Sequence, residues 1–360
     1  MRRFEEEILK AIEQGSFPAA SLLVAKKGEV LYRNTLGHAA LLPEKEPATE
    51  GTLFDIASLT KPVAATPLAL LARKEGKITL DTTITRKIPQ FVSEEKERIT
   101  ARHLLKHTSG LPAWRPYYEE IRSVCPDLWG KRECRSVYLE KISQESLEVP
   151  IAYQRIYSDL GFMLLGFFLE EAMGGTIDQL FQEKIAGPLS LSNTFYIPND
   201  HPPESRSPFA ATENSPVRGR ILRGEVDDEN AYALGGVAGH AGLFSTAEDL
   251  HRFLSEWEKG FRNESPIFPQ DLVQDFTGPK AKFKLGWDTP SSPESQAGKY
   301  FSRNAIGHLG FTGCSFWVDL EQEFHVILLT NRVHPSAENE AIKLFRPMIH
   351  DLIYEEIIRS

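Results

Sequence analysis

The sequence predicts an α/β fold in which the two ends of the chain combine into one unit around an inserted, mostly helical region. Three observations carry that expectation. The chain begins with a helical period followed by a hairpin pattern, it closes with a strand pair followed by a helical tail, and residues 81–276 between them read as helical segments and long loops. The expected division is 1–80 plus 277–360 for the sheet unit and 81–276 for the insert, with the active site between them. A chain of 360 residues exceeds the usual size of one simple core, so one large or two intimately packed domains are expected.

Phe4, Ile8 and Ile12 recur at helical spacing, the chain turns at 15–18, and SLLVA and EVLYR follow, joined through Lys26-Lys27-Gly28. In FDIASLTKPVAAT an apolar lead-in, 54–57, gives way to a helix-like run with Ala64, Ala65, Leu68, Leu70 and Leu71, which puts Ser58 near a helix start. Two irregular stretches stand out, because long loops in compact domains are usually functional or disordered. Residues 112–135 carry Trp114, Tyr117, Tyr118 and Trp129, which line a cleft or, as we expect for most of them, anchor a loop. Residues 198–231 are rich in Pro, Ser, Asn and charge. Between these stretches, Tyr157-Ser158-Asp159 precedes a strongly apolar helix ending near Gly174-Gly175. Residues 314–319 and 325–330 form the closing strand pair, and a helical tail from about Ala337 contains Pro347, a residue that kinks helices.

The composition, 41% hydrophobic and 25% charged, is that of an ordinary globular protein, and a net charge of −9 offers no basic patch for nucleic acid. After Met1-Arg2-Arg3 comes Phe4 and then three glutamates, so no signal-peptide pattern is expected, and no apolar run is long enough to span a membrane. The three cysteines, Cys125, Cys134 and Cys314, have no metal spacing and fit a reduced, cytoplasmic chain, with a Cys125–Cys134 bridge as the alternative. No cofactor or metal is implied, and oligomeric state is not encoded in any feature we recognise.

Ser58 and Lys61 are the pair that most suggests chemistry. Side chains at i and i+3 share a helix face. A serine hydroxyl becomes a nucleophile when a neighbouring base takes its proton, and lysine is that base when its pKa is depressed. The spacing itself arises by chance about once in a chain of this length. Ser93 and Lys96 repeat it inside SEEKER, a charged stretch that reads as solvated surface. The plain alternative for Ser58 is a helix-capping serine followed by a surface lysine. Tyr157 is a second candidate, since an ammonium lowers a neighbouring phenol's pKa and the two then share the base's task; otherwise it is an amphipathic tyrosine at a helix entrance. His308-Leu309-Gly310 lies directly before a predicted strand, where glycine lets a strand edge approach a ligand. There the Phe311 N–H, with that of Ser58, could form an oxyanion hole.

In this order and at these separations, the three elements resemble the serine β-lactamase and penicillin-binding-protein superfamily, in particular its class C β-lactamase, DD-peptidase and esterase branch. The likeness spans nearly the whole chain and includes HLLKHTSGLP at 103–112 and GGVAGHAGLFSTAEDLHRF at 235–253, so His103 and His107 need not be metal ligands. It implies a β-lactamase/transpeptidase-like α+β sandwich: a mainly antiparallel sheet flanked by the terminal helices, beside a helical domain. It further implies that Ser58 is the acylated nucleophile, Lys61 its base partner and Tyr157 the proton relay, with His308 in place of the family's Lys-Thr/Ser-Gly lysine.

Three departures bear on substrate. Asp159 stands where the family's Tyr-x-Asn has asparagine, and a carboxylate accepts hydrogen bonds without donating them. It could pair with Lys61 and raise that lysine's pKa. A second frame reads Ser158-Asp159-Leu160 as a degraded Ser-Asp-Asn motif. Leu309 removes a hydroxyl that helps hold the β-lactam carboxylate, and His308 puts a group titrating near neutrality where the family has a permanent cation. The expectation is a serine hydrolase of small esters or D-amino-acid-containing peptides and amides. The alternatives are a weak β-lactamase or DD-carboxypeptidase, and a penicillin-binding or sensor-like protein using the same pocket. No Gly-x-Ser-x-Gly elbow occurs.

Overall fold

Helix α1 (Arg3–Glu13) buries Phe4 and Ile8 together with Ala11, and the chain then enters strands β1 (Ala19–Lys26) and β2 (Glu29–Ala40). This computed structural model describes residues 2–91, 93–279, 283–291 and 295–359. At the hairpin, Lys27 and Gly28 take φ of 54° and 80°, the paired positive values of a turn whose twist matches that of the flanking strands. With β3 (Glu46–Pro47), β4 (Ile306–Leu309), β5 (Ser315–Asp319) and β6 (Phe324–Thr330), they form one antiparallel sheet in the order β3-β2-β1-β6-β5-β4. The two ends of the chain meet where β1 pairs with β6, from Ala20 opposite Thr330 to Lys26 opposite Phe324.

Both faces of this sheet are covered. Along β1, Leu23 and Ala25 point to one hydrophobic core and Leu22 and Val24 to the other, as the period of two requires. A strand buried on both sides needs no polar alternation, which accounts for the unbroken apolar run SLLVA. One face lies under α1 and the C-terminal helix, with Phe17 edge-on to Phe345 at 4.9 Å. The other carries the helix Ala247–Phe261, whose Leu250, Phe253 and Trp257 join the larger core. That helix belongs to 81–276, so this stretch covers the sheet as well as forming the helical layer. A small sheet of Phe54–Asp55, Leu243–Ser245 and Phe195–Tyr196 ties the layer to the segment carrying Ser58.

Three local expectations are revised. The tail helix begins at Ile342, not near Ala337, because the Arg332 guanidinium binds Ala337 O and Asn339 O and holds them outside a helical pattern. Within that helix Pro347 has no N–H for Lys343 O, and Gln296 Nε2 supplies the missing donor at 3.0 Å. Residues 112–135 are no open loop: they hold a helix, Tyr117–Val124, and two short 3₁₀ turns. In SEEKER the glutamates are exposed, but Lys96 is buried and donates to Ser143 O at 2.5 Å. All three cysteines are free thiols, so Cys125 and Cys134 form no bridge. Among the described residues no single helix is long and apolar enough to cross a membrane; Asp159–Met173, the most apolar segment of the middle region, is packed inside the larger core.

Candidate active site

Ser58 sits in a single 3₁₀ turn, Ala57–Leu59, that feeds a helical run through 61–74. Ala57 is held at φ 47°, a left-handed value unusual for alanine, and the buried Asp55 carboxylate fixes it by accepting the Ala57 N–H at 2.8 Å. Asp55 also accepts the Asp227 N–H at 2.7 Å, and burial followed by the nearby Asp227 charge pushes its pKa up to about 7. One turn beyond Ser58, Lys61 is wholly buried and its ammonium donates to Ser58 Oγ at 2.8 Å and to His240 O at 3.1 Å. Its third neighbour is Asp159 Oδ1 at 2.7 Å, in an ion pair not aligned as a hydrogen bond. Burial alone would depress this lysine, but the Asp159 carboxylate and Tyr157 outweigh it and the pKa is raised.

Tyr157 is placed by the helix that follows it. Ser158 caps Asp159–Met173: its Oγ accepts the Gly161 N–H at 3.0 Å and donates to Pro112 O at 2.6 Å, while its N–H donates to His107 Nδ1 at 3.0 Å. His107 then packs at a tilt against Tyr157, ring centres 4.6 Å apart, and against Phe162 at 5.0 Å. His103 instead closes a capping box with Thr100. Both histidines of HLLKH thus serve local structure. The Lys61 ammonium lies 5.0 Å from the centre of the Tyr157 ring. It draws the phenol's pKa down, as the sequence suggests, yet burial acts more strongly and Asp159 opposes it too, so Tyr157 rises to about 12.

The third wall is the end of β4. Gly310 allows a close approach: a Cβ there would stand 2.7 Å from Ile56 O. Thr312 Oγ1 donates to Asp55 O at 2.7 Å, fastening the β4–β5 turn to the segment that carries Ser58. Among the described residues, neither the Ser58 N–H nor the Phe311 N–H has an acceptor within the chain. His308 does not titrate near neutrality as its residue type suggests. Burial, opposed in part by Asp288, takes its pKa down to about 4, and its Nδ1 faces Leu309 O at 2.9 Å, leaving a neutral ring beside Tyr157 at 5.8 Å.

Ser58, Asp159 and Phe311 line two cavities, of about 350 and 400 Å³. Trp114 and Tyr118 line the first, whereas Tyr117 is buried and Trp129 packs on Tyr232, so the four aromatics divide evenly between lining and anchoring. The first cavity also presents Glu213, Asp227, Asp228 and Glu229. None of the four is carried by a motif, though Asp227, Asp228 and Glu229 lie in the acidic run EVDDEN. The role of His240, whose carbonyl receives Lys61 and whose Nε2 meets Asp228 Oδ1 at 3.0 Å, was likewise hidden inside a glycine-rich landmark.

A serine hydrogen-bonded to a buried lysine, at the edge of an antiparallel sheet between terminal helices and a helical layer, defines a class, and comparison with known proteins agrees. The β-lactamase family model matches residues 1–346, and the chain belongs to that family. N-acetylmuramyl-L-alanine amidase of Bacillus subtilis (strain 168) is 31% identical over 93% of this chain and 81% of its own length. A protein of Escherichia coli (strain K12) named for D-alanyl-D-alanine carboxypeptidase is 30% identical over 94% and 84%. The solved structure of EstCE1, a hydrolase with promiscuous acyltransferase activity, has a TM-score of 0.75 at 22% identity and covers 98% of this chain and 97% of its own, a likeness of fold.

Proposed function

We propose that this protein is a serine hydrolase that forms an acyl-enzyme on Ser58, acting on small esters or on D-amino-acid-containing peptides and amides. The observation that carries this reading is the buried Lys61 ammonium at 2.8 Å from the Oγ of Ser58, which itself lines a cavity. Loss of one proton from the coupled Lys61–Tyr157 pair creates the base. That base takes the hydroxyl proton as Oγ bonds to the carbonyl carbon, and the N–H groups of Ser58 and Phe311 receive the oxyanion. Tyr157 gives the leaving group its proton as the carbonyl bond to it breaks; a water then enters by the reverse route and releases the acid. Asp159 holds Lys61 in place and keeps the resting pair protonated.

The names of the two relatives, an N-acetylmuramyl-L-alanine amidase and a protein named for D-alanyl-D-alanine carboxypeptidase, support an amide bond, and small N-acetylmuramyl- or D-alanine-containing peptides are the amide substrates we propose. A weak β-lactamase or DD-carboxypeptidase is the enzymatic alternative. A sensor reading draws on Asp159, because Ser58 is acylated slowly when its base partner Lys61 is locked as ammonium. We further propose a cytoplasmic location, on the odd number of cysteines. The test is nitrophenolate release from p-nitrophenyl acetate. Many turnovers by the wild type, lost in Ser58→Ala, support the hydrolase; release that stops at one equivalent assigns the sensor.

A further inference from the structure

We propose that the cavity lined by Trp114, Tyr118, Glu213 and Asp227 takes the acyl half of the substrate, and that its carboxylates select an acyl group carrying an ammonium. The inference rests on the acyl-enzyme reading above. Ser58 borders two cavities, and only the other one is lined by Tyr157. A leaving group that takes its proton from Tyr157 departs on that other side, so the acyl group left on Ser58 occupies this one.

Five carboxylates line this cavity, those of Asp159, Glu213, Asp227, Asp228 and Glu229, and no lysine or arginine does. Three of them are matched within the chain: Asp159 by Lys61, Asp228 by His240 Nε2 and Glu229 by Arg218. Glu213 and Asp227 have no ion-pair partner among the described residues. Asp227 is 5% exposed, and the Glu213 N–H reaches its Oδ1 at a long 3.4 Å. Arg218 and Arg332 act on these two acids from beyond ion-pair range, since Arg218 is held by Glu225 and Glu229, and Arg332 by the carbonyls of Phe311, Ala337 and Asn339. Buried charges are ordinarily paired, so a buried carboxylate without a counter-ion, at the wall of a cavity, calls for a cation from outside. Burial, and then the charges of Asp227 and Glu229, push Glu213 up to about 7, and a bound cation would relieve both effects. Among the described residues no group of three or more His, Cys, Asp or Glu side chains is arranged to hold a metal ion, which points to an organic cation. Trp114 and Tyr118, ring centres 6.4 Å apart, supply an aromatic wall that attracts an ammonium through its π faces.

The experiment compares p-nitrophenyl 6-aminohexanoate with p-nitrophenyl heptanoate, which puts a methyl group in place of the ammonium, after correction for their rates in buffer. Wild-type kcat/KM should favour the ammonium ester by roughly tenfold or more, the size of effect expected of a hydrogen bond to a charged group. In Glu213→Gln and Asp227→Asn that ratio should fall toward one, whatever happens to either rate alone. A wild-type ratio of one or below would overturn the proposal without recourse to any variant. Titration of Ser58→Ala protein with 6-aminohexanamide and with heptanamide reads the cavity without turnover. Tighter saturable binding of the amine, weakened when Glu213→Gln is added, supports the proposal even if no ester is hydrolysed and the acyl-enzyme reading fails; equal binding of the two amides, or none, overturns it. Displacement of the amine by an equal concentration of calcium chloride would also overturn it, assigning the carboxylates to a metal ion.

Discussion

Lys61 is pulled in opposite directions: burial favours the neutral amine, while Asp159 at 2.7 Å favours the ammonium and prevails. In the proposed mechanism the base form appears only after a proton leaves Lys61 or Tyr157, and both are raised, so kcat/KM should still be climbing between pH 7 and 10. Asp159→Asn removes the opposing charge at nearly constant shape, so the climb should move to lower pH by about one unit or more. A pH–rate profile checks this, and an unmoved midpoint contradicts it. Ser58, Lys61, Tyr157 and Asp159 were legible in the sequence because short motifs carry them. The sign of the shift at Tyr157 and the neutrality of His308 were not, since burial comes from residues distant in the chain. Ser93→Ala should leave turnover unchanged, because Lys96 turns to Ser143 O instead.

One helix start and one strand end position the groups assigned to the proposed reaction. At the first turn of Asp159–Met173, Ser158 accepts one backbone N–H and donates to Pro112 O, both buried. Ser158→Ala should cost about 1–2 kcal/mol in urea unfolding and lower kcat more than it raises KM, as Tyr157 loses its anchor. At the end of β4, Gly310→Ala drives a Cβ to within 2.7 Å of Ile56 O, which must part the strand from the Ser58 turn. Turnover should fall by about a hundredfold or more with near-native circular dichroism, the size of effect seen when an oxyanion donor is removed. The helix pattern of YSDLGFMLLG and its glycine stop were readable from spacing and caps. The start of the tail helix was not, because Arg332 decides it from across a turn.

For the molecule as a whole, the joining of the two chain ends through β1 and β6 followed from patterns at each end. The assembly of the first cavity did not. Its acids come from an irregular stretch whose path is set by long-range bonds, Asp227 N–H to Asp55 and Asp228 to His240 among them. The same holds for Gly239, which lies so close to the helix Asp159–Met173 that a Cβ would stand 2.3 Å from Phe162 O. Gly239→Ala should destabilise the fold by about 1–3 kcal/mol and displace the His240 carbonyl from Lys61, visible as a lower urea midpoint together with lost turnover.

The measurement that bears most directly on the central claim is intact-mass spectrometry of the protein mixed with a p-nitrophenyl ester and, separately, with a penicillin, while nitrophenolate release is followed. The account predicts repeated ester turnover, a transient acyl mass mapped to Ser58, little lasting penicillin adduct, and none of these in Ser58→Ala. Equal labelling or turnover by the Ser58→Ala protein would contradict it.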